Sequence, residues 1–176
     1  KFHDAFGGCM KYWFCAGSYL KLDVKKFYED LGIKLQCAYG LTECSSLVAL
    51  EYYDRKDVSS AGVVLENQKV KIYKPNKAGE GEILVKGDQV TPGYWNNAEK
   101  NESSFFVHDV VRYYHTGDLC YWEETGDIMY SGRIDQQAKI QGFRVELGEI
   151  EHHARCFYQN NRRVLAIAFE NAQSLT

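Results

Sequence analysis

Between residues 13 and 39 the sequence changes its hydrophobic period once, and that change limits the folds open to the chain. Trp13-Phe14-Cys15 is a short apolar run that breaks into the small residues Ala16-Gly17-Ser18. Val24, Phe27, Tyr28 and Leu31 then recur at i, i+3, i+4 and i+7, after which Ile33, Leu35, Cys37 and Tyr39 alternate with Lys34, Gln36 and Ala38. A helical stripe followed by strict alternation predicts a helix and then a strand. Asp23 suits the helix N-cap and Gly32 its stop. A short buried strand, a helix and a second strand in this order form a βαβ unit with parallel neighbours. The loops at the strands' carboxyl ends, 16–18 and 40–43, therefore fall on one sheet edge, where open α/β sheets bind ligands.

From Ala61 onward the texture is β. Val70 and Ile72 alternate with Lys69, Lys71 and Tyr73, residues 75–81 are turn-rich, and Ile83 and Val85 point inward from the next strand. A hairpin over 121–130 turns at Glu123-Glu124-Thr125-Gly126. The stretch 130–151 then changes character: Gly132-Arg133-Ile134-Asp135 puts a flexible residue and two opposite charges at a strand end. That composition suits a pivot or a polar site, and equally an ordinary surface loop with a salt-bridged Arg. A second hairpin folds at Gln141-Gly142, followed by a helix with Leu147, Ile150, Ala154 and Phe157 on one face, and residues 164–169 read as a buried strand. The expected fold class is mixed α/β and β. Three segments follow: 1–60, the C-terminal part of an α/β subdomain; 61–133, β-rich; and 134–176, a hinge and an incomplete α+β domain.

Bulk properties remove several function classes. A net charge of −3 leaves no electrostatic footprint for nucleic acid or an acidic membrane surface. Lys25-Lys26 and Arg162-Arg163 read as solvated faces. No apolar run approaches the roughly 20 residues of a membrane span. Six cysteines without a C-x-x-C pair indicate reduced thiols in a cytoplasm, not a zinc site or disulfide framework. The five histidines lack metal-ligand spacing. There is no G-x-S-x-G elbow, no Walker loop and no kinase Gly-rich loop.

Four motifs, in order, carry a resemblance. Tyr39-Gly40-Leu41-Thr42-Glu43 comes first; then Gly79-Glu80-Gly81-Glu82-Ile83-x-Val85-x-Gly87, continuing to Gly93-Tyr94-Trp95-Asn96-Asn97; then His115-Thr116-Gly117-Asp118-Leu119; and last Gly132-Arg133-x-Asp135-x-x-x-Lys139-x-x-Gly142-x-Arg144-Val145-Glu146-Leu147-x-Glu149-Ile150-Glu151. Together they resemble the adenylate-forming superfamily, enzymes that activate carboxylic acids with ATP. The wording is nearest the amino-acid-activating branch, the nonribosomal peptide synthetase adenylation domains and D-alanine:carrier-protein ligases. Taken alone, Thr42 is as readily a helix cap and Asp118 as readily an Asp bonded to its own turn.

The resemblance implies a βαβ portion and a distorted β-barrel portion of a large domain, then a hinge and a small lid domain. It implies that Ala16, Gly17, Ser18, Tyr39 and Gly40 line the nucleotide, with Tyr39 stacked on adenine. Thr42 would bond phosphate, Glu43 would hold magnesium, Asp118 would bind the ribose, and Arg133 would serve ribose or phosphate. Asp135 would be the hinge, Lys139 a catalytic cation reaching the nucleotide, and Gly142 room for a carrier arm. The second motif is taken as structural. ATP, AMP and Mg are the implied ligands, a small carboxylic acid, most simply an amino acid, the substrate, and the phosphopantetheine arm of a carrier protein or CoA the thiol acceptor. An acyl-CoA synthetase-type ligase and a non-catalytic nucleotide-binding or interaction module are the alternatives. The joint presence of Thr42, Glu43, Asp118 and Arg133 argues against the module. Because the family's Lys-Gly phosphate loop and its C-terminal Gly-Lys are not found, and the chain begins at Lys1, the expectation is an internal fragment that turns over poorly alone.

Overall fold

Parallel pairing of β1 (Trp13–Cys15) with β2 (Leu35–Tyr39), in a register from Trp13↔Leu35 to Cys15↔Cys37, sets the first sheet. A one-turn helix, α1 (Phe2–Ala5), precedes β1, and α2 (Leu22–Asp30) makes the crossover. β3 (Ala49–Leu50) and β4 (Val63–Val64) add antiparallel strands, giving the order β1-β2-β3-β4. The computed structural model describes residues 2–18, 20–52, 60–135, 137–140, 143–158 and 164–168. It divides into two compact units, Lys1–Ile134 and Asp135–Thr176.

Three local expectations for this region are corrected. Lys21, in extended conformation and making no side-chain capping bond, is the N-cap of α2, while Asp23 lies in the first turn, where its charge complements the helix dipole. Phe14 is 58% exposed, so β1 is an uncovered strand of the described sheet, not a buried one. Lys25 is no solvated lysine: it is 1% exposed, while Phe27 of the predicted apolar stripe is 58% exposed. The helix turns Lys25 inward because a buried carboxylate, Glu51, waits 2.6 Å from its Nζ.

The second sheet takes β5 (Lys69–Tyr73), β6 (Gly81–Lys86), β7 (Phe105–His108), β8 (Val111–Trp122) and β9 (Ile128–Arg133). Helix α3 (Ala98–Ser104), capped by the Asn97 side chain on Lys100 N, leads into β7. The long strand β8 organises this sheet: β6 flanks it on one side, while β7 and β9 follow one another along the other. Among the described residues the sheet is open, so the expected barrel portion is corrected to a five-stranded sheet. A bridge between Gly62 and Ile128 ties the two sheets, with Ala61 N donating to Ile128 O at 2.8 Å.

Buried Ala49, Ala61, Ile83, Cys120 and Ile128 form one core cluster, and Cys44, Val48, Val85 and Tyr114 a second; Tyr39 and Val70 pack against both. Each large apolar side chain so buried contributes about 1.5 to 3 kcal/mol.

In the second unit β10 (Gln137–Ile140) and β11 (Phe143–Glu146) pair antiparallel, and α4 (Leu147–Phe157) follows. The turn expected at Gln141-Gly142 lies outside the described residues. Ile150 and Phe157 stay exposed, so the apolar face of α4 is not covered here. Residues 164–168 form no strand; Ala166 N instead donates to Glu151 Oε1 of α4 at 3.0 Å. A segment that finds a carboxylate and no neighbouring ladder is not a strand.

Candidate functional site

The corner that carries Asp118 is made by a fault in the β6–β8 ladder. Glu82 pairs with Leu119 and Leu84 with His115, so Thr116, Gly117 and Asp118 together stand opposite Ile83. Such a bulge bends the strand and re-aims a side chain. Gly117 takes φ +73°, a left-handed value that a Cβ disfavours. Thr116 closes the bulge from within: its Oγ1 donates to Ile83 O at 2.8 Å and accepts from Asp118 N at 3.0 Å. Asp118 is thereby 4% exposed and sits in register with Arg133 on β9.

Arg133 and Tyr39 both bond the carboxylate. Arg133 Nη1 donates to Oδ1 at 2.6 Å, its Nη2 reaches Thr116 O at 3.2 Å, and the Tyr39 hydroxyl donates to Oδ2 at 2.6 Å. Both contacts on the carboxylate are short, as charge-assisted bonds are. Burial, then the Asp118 charge, hold the Tyr39 phenol well above its usual pKa, so it stays protonated and donating.

Tyr39 ends β2 and opens the second element of the site. Gly40 follows because only glycine fits: a Cβ there would lie 1.5 Å from the Ser46 carbonyl oxygen. The chain then makes a 3-10 turn over Thr42–Cys44 and closes with Val48 N donating to Tyr39 O at 2.8 Å. Thr42 is not the cap of this turn; Leu41 is, and the Thr42 side chain is exposed. Glu43 is buried, with Oε1 accepting from the Tyr94 hydroxyl at 2.7 Å and its carbonyl from Thr91 N at 2.8 Å. Cys44 beneath it has its thiol pushed up to about 12 by burial and then by the Glu43 charge.

The structure thus brings Tyr39, Gly40, Thr42, Glu43, Asp118 and Arg133 into one connected patch of the first unit. Ala16, Gly17 and Ser18 leave β1 beside the end of β2, because Cys15 pairs with Cys37, and all three are exposed. Asp135 and Lys139 belong to the second unit, and the Lys139 side chain and Gly142 lie outside the described residues. Motif reading missed Tyr94, assigned only to structure. Its clamp is visible in the fold alone: Asn101 of α3 bonds both its N, at 2.7 Å, and its O, at 2.9 Å.

Chemically the patch presents an aromatic ring, an exposed hydroxyl, two fixed carboxylates and a guanidinium beside a small-residue loop. That set meets a nucleotide's needs: acceptors for sugar hydroxyls, donors for phosphate, and a face for a base.

The chain is similar to several known proteins. The chain is 37% identical over 166 residues to bacitracin synthase 2 of Bacillus licheniformis, a match covering 86% of this chain and 6% of that protein. The crystal structure of the Vibrio cholerae adenylation domain AlmE, in complex with glycyl-adenosine-5'-phosphate, superposes with a TM-score of 0.82 at 27% identity, over 94% of this chain and 34% of that one. PA1221, a protein containing adenylation and PCP domains, superposes with a TM-score of 0.72 at 25% identity, over 86% and 34%. The chain therefore spans only a small part of the relatives it matches. The family model of the AMP-binding enzymes covers residues 1–95, more than half of the chain, which therefore belongs to the AMP-binding enzyme family.

Proposed function

We propose that this chain is part of an ATP-dependent ligase that activates an amino acid as its acyl-adenylate and passes the acyl group to a carrier-protein thiol. The observation that carries the reading is Asp118, held between Arg133 and Tyr39, the residue from which the loop to exposed Thr42 departs. In the first half-reaction the acid's carboxylate displaces pyrophosphate from the α-phosphorus of ATP. In the second, the phosphopantetheine thiol displaces AMP and leaves a thioester. Positioning and charge neutralisation supply most of the acceleration in such a displacement.

Each residue has a part. Asp118 accepts from the ribose hydroxyls, and Arg133 keeps that carboxylate aimed. Tyr39 offers its ring to adenine while its hydroxyl stays on Asp118; the Ala16-Gly17-Ser18 backbone lies along the base. Thr42 donates to a phosphate oxygen. A magnesium ion would be held at Glu43, since one or two carboxylates plus phosphate oxygens are what Mg²⁺ takes; among the described residues no group of three His, Cys, Asp or Glu side chains offers an all-protein cage. When bound, the ion would neutralise phosphate charge; Glu43 is the carboxylate for it. Lys139 is the proposed catalytic cation, and Gly142 the proposed room for the carrier arm.

Asp135 is proposed as the pivot. It is the first residue of the second unit, and two half-reactions at one cleft need one lid face removed before another enters. Asp135→Pro fixes φ near −65° and should spare adenylation while thioester formation falls by orders of magnitude; equal loss of both half-reactions, or loss of neither, would refute it. The cytoplasm, with its ATP and reduced thiols, is the proposed compartment; no helix among the described residues is long and apolar enough to cross a membrane.

Pyrophosphate exchange by the complete protein against panels of amino acids, aryl acids and fatty acids tests the proposal. Exchange stimulated by one or a few amino acids supports it. Stimulation by fatty or aryl acids alone, with CoA as acceptor, would move the protein to the acyl-CoA synthetase reading, and no ATP-dependent exchange would remove the ligase.

A further inference from the structure

Glu82 belongs to a motif to which the sequence assigns no chemistry, yet both its carboxylate oxygens are spent on the Asp118 corner. Oε1 accepts from Gly117 N at 2.9 Å and Oε2 meets His115 Nδ1 at 2.8 Å. Gly117 stands outside the β6–β8 register, so its amide needs a partner other than the ladder, and Glu82 supplies it. The Gly117 carbonyl is held at its other side by Ile134 N at 2.8 Å. Two anchors therefore fix the residue that immediately precedes Asp118.

His115 in turn fixes Glu82. Its ring is wedged between Phe106, with centroids 4.7 Å apart, and Tyr73, at 5.7 Å. The pair is largely enclosed, with Glu82 14% and His115 27% exposed, so the carboxylate has few other places to go. A carboxylate merely stapling β6 to β8 would be served by the His115 contact alone. The second oxygen on the one residue of the bulge with φ near +73° is what ties it to the aim of Asp118.

We propose that Glu82, oriented by His115, is a positioning residue for nucleotide binding: it holds the Gly117 peptide so that Asp118 faces the ribose. The inference rests on the reading of Asp118 as the ribose ligand. Because the Glu82 oxygens are engaged by Gly117 and His115, its effect on the nucleotide runs through Asp118 and must vanish when Asp118 is gone.

The test is a double-variant cycle in the complete protein, reading KM for ATP and KM for the acid by pyrophosphate exchange. Glu82→Ala should raise KM for ATP about fivefold to tenfold with KM for the acid unchanged, and Asp118→Ala should raise it further. Added to Asp118→Ala, Glu82→Ala should do nothing more. Glu82→Gln, which keeps an oxygen at the same reach, should stay near wild type, and Glu82→Asp, one methylene short, should fall between. That ranking decides the matter if Glu82→Ala does not fold. An unchanged KM for ATP in Glu82→Ala beside a raised one in Asp118→Ala overturns this inference alone. So does a double variant in which the two losses multiply, or a ranking that follows charge, with Asp like wild type and Gln like Ala. An unchanged KM in Asp118→Ala overturns the ribose reading and this inference together.

Discussion

Lys25–Glu51 and Arg133–Asp118 are both buried ion pairs with a closest approach of 2.6 Å, and their surroundings differ. Lys25 and Glu51 are each 1% exposed, and the neighbours of Glu51 are all its own fold. Its Oε2 accepts from Cys37 N at 3.0 Å, and its carbonyl from Gln36 Nε2 at 2.8 Å. This pair fastens α2 to β2 and to the segment after β3. Arg133, at 11% exposure, keeps an edge on solvent, and its partner carboxylate is reached by Tyr39 from the element that carries exposed Thr42. An enclosed pair can act only on the fold; one at the lip of a site can also act on what enters. Desolvation costs several kcal/mol per ion in both, and under the proposed function only the second would have a ligand to offset it with.

The largest effect expected from breaking this contrast is at the enclosed pair. Lys25→Met strands Glu51 as a buried, uncompensated charge and should cost about 3 to 5 kcal/mol in urea unfolding. The double variant Lys25→Met/Glu51→Leu should recover only part of that, because the Cys37 amide loses its acceptor, a cost of about 1 to 3 kcal/mol. ATP affinity of whatever remains folded should be unchanged. A cost below about 1 kcal/mol for Lys25→Met would mean that the pair behaves as a surface one, and the contrast would be gone.

The two pairs also differ in how far the sequence gives them away. The Asp118 corner was legible because its residues sit in contiguous motifs, and His115-Thr116-Gly117-Asp118-Leu119 and Gly132-Arg133 lie on strands that a readable turn at Gly126 returns to each other. The βαβ order and the inward side of β6 were legible for the same reason, since period is a local property. Lys25 was misread because a helix stripe of Val24, Phe27 and Tyr28 outvotes one lysine, and its partner is 26 residues away in the chain with no signal of its own. The contacts of Tyr94 and Glu82 with the patch were invisible because their bonds to Glu43 and Gly117 cross 51 and 35 residues. The open edge of the second sheet was missed because a barrel and a sheet share one alternation. Closure is a matter of pairing, which no strand records in its own pattern.

At the second pair the expected loss is in ligand, not fold. Asp118→Ala removes a charged acceptor and should cost about 1.5 to 3 kcal/mol in ATP use, about tenfold to a hundredfold. Arg133 keeps its bond to Thr116 O, so the loss in unfolding free energy should be the smaller of the two. An Asp118→Ala protein with normal ATP dependence and the stability loss of Lys25→Met would make both pairs structural.

The finest probe is the third member of the second pair. Tyr39→Phe removes the hydroxyl on Asp118 Oδ2 and keeps the ring that packs against both core clusters, so it should cost about 1 kcal/mol near neutral pH. Its distinguishing signature is alkaline. Burial, then the Asp118 charge, raise the folded phenol pKa well above 10.0, so the unfolded chain releases that proton first. Stability from this group is therefore fully present below 10.0 and drains away as pH climbs above it toward the raised folded value. Cys44 adds a loss of the same sign from 9.0 up to about 12, and that loss is common to wild type and variant. Wild-type and Tyr39→Phe stability, measured by urea unfolding from about pH 8 to about pH 11, should then converge as the pH rises, because only the wild type has the phenol to lose. Curves that stay parallel would mean that Tyr39 titrates as an exposed tyrosine does, and that Asp118 is held by Arg133 without it.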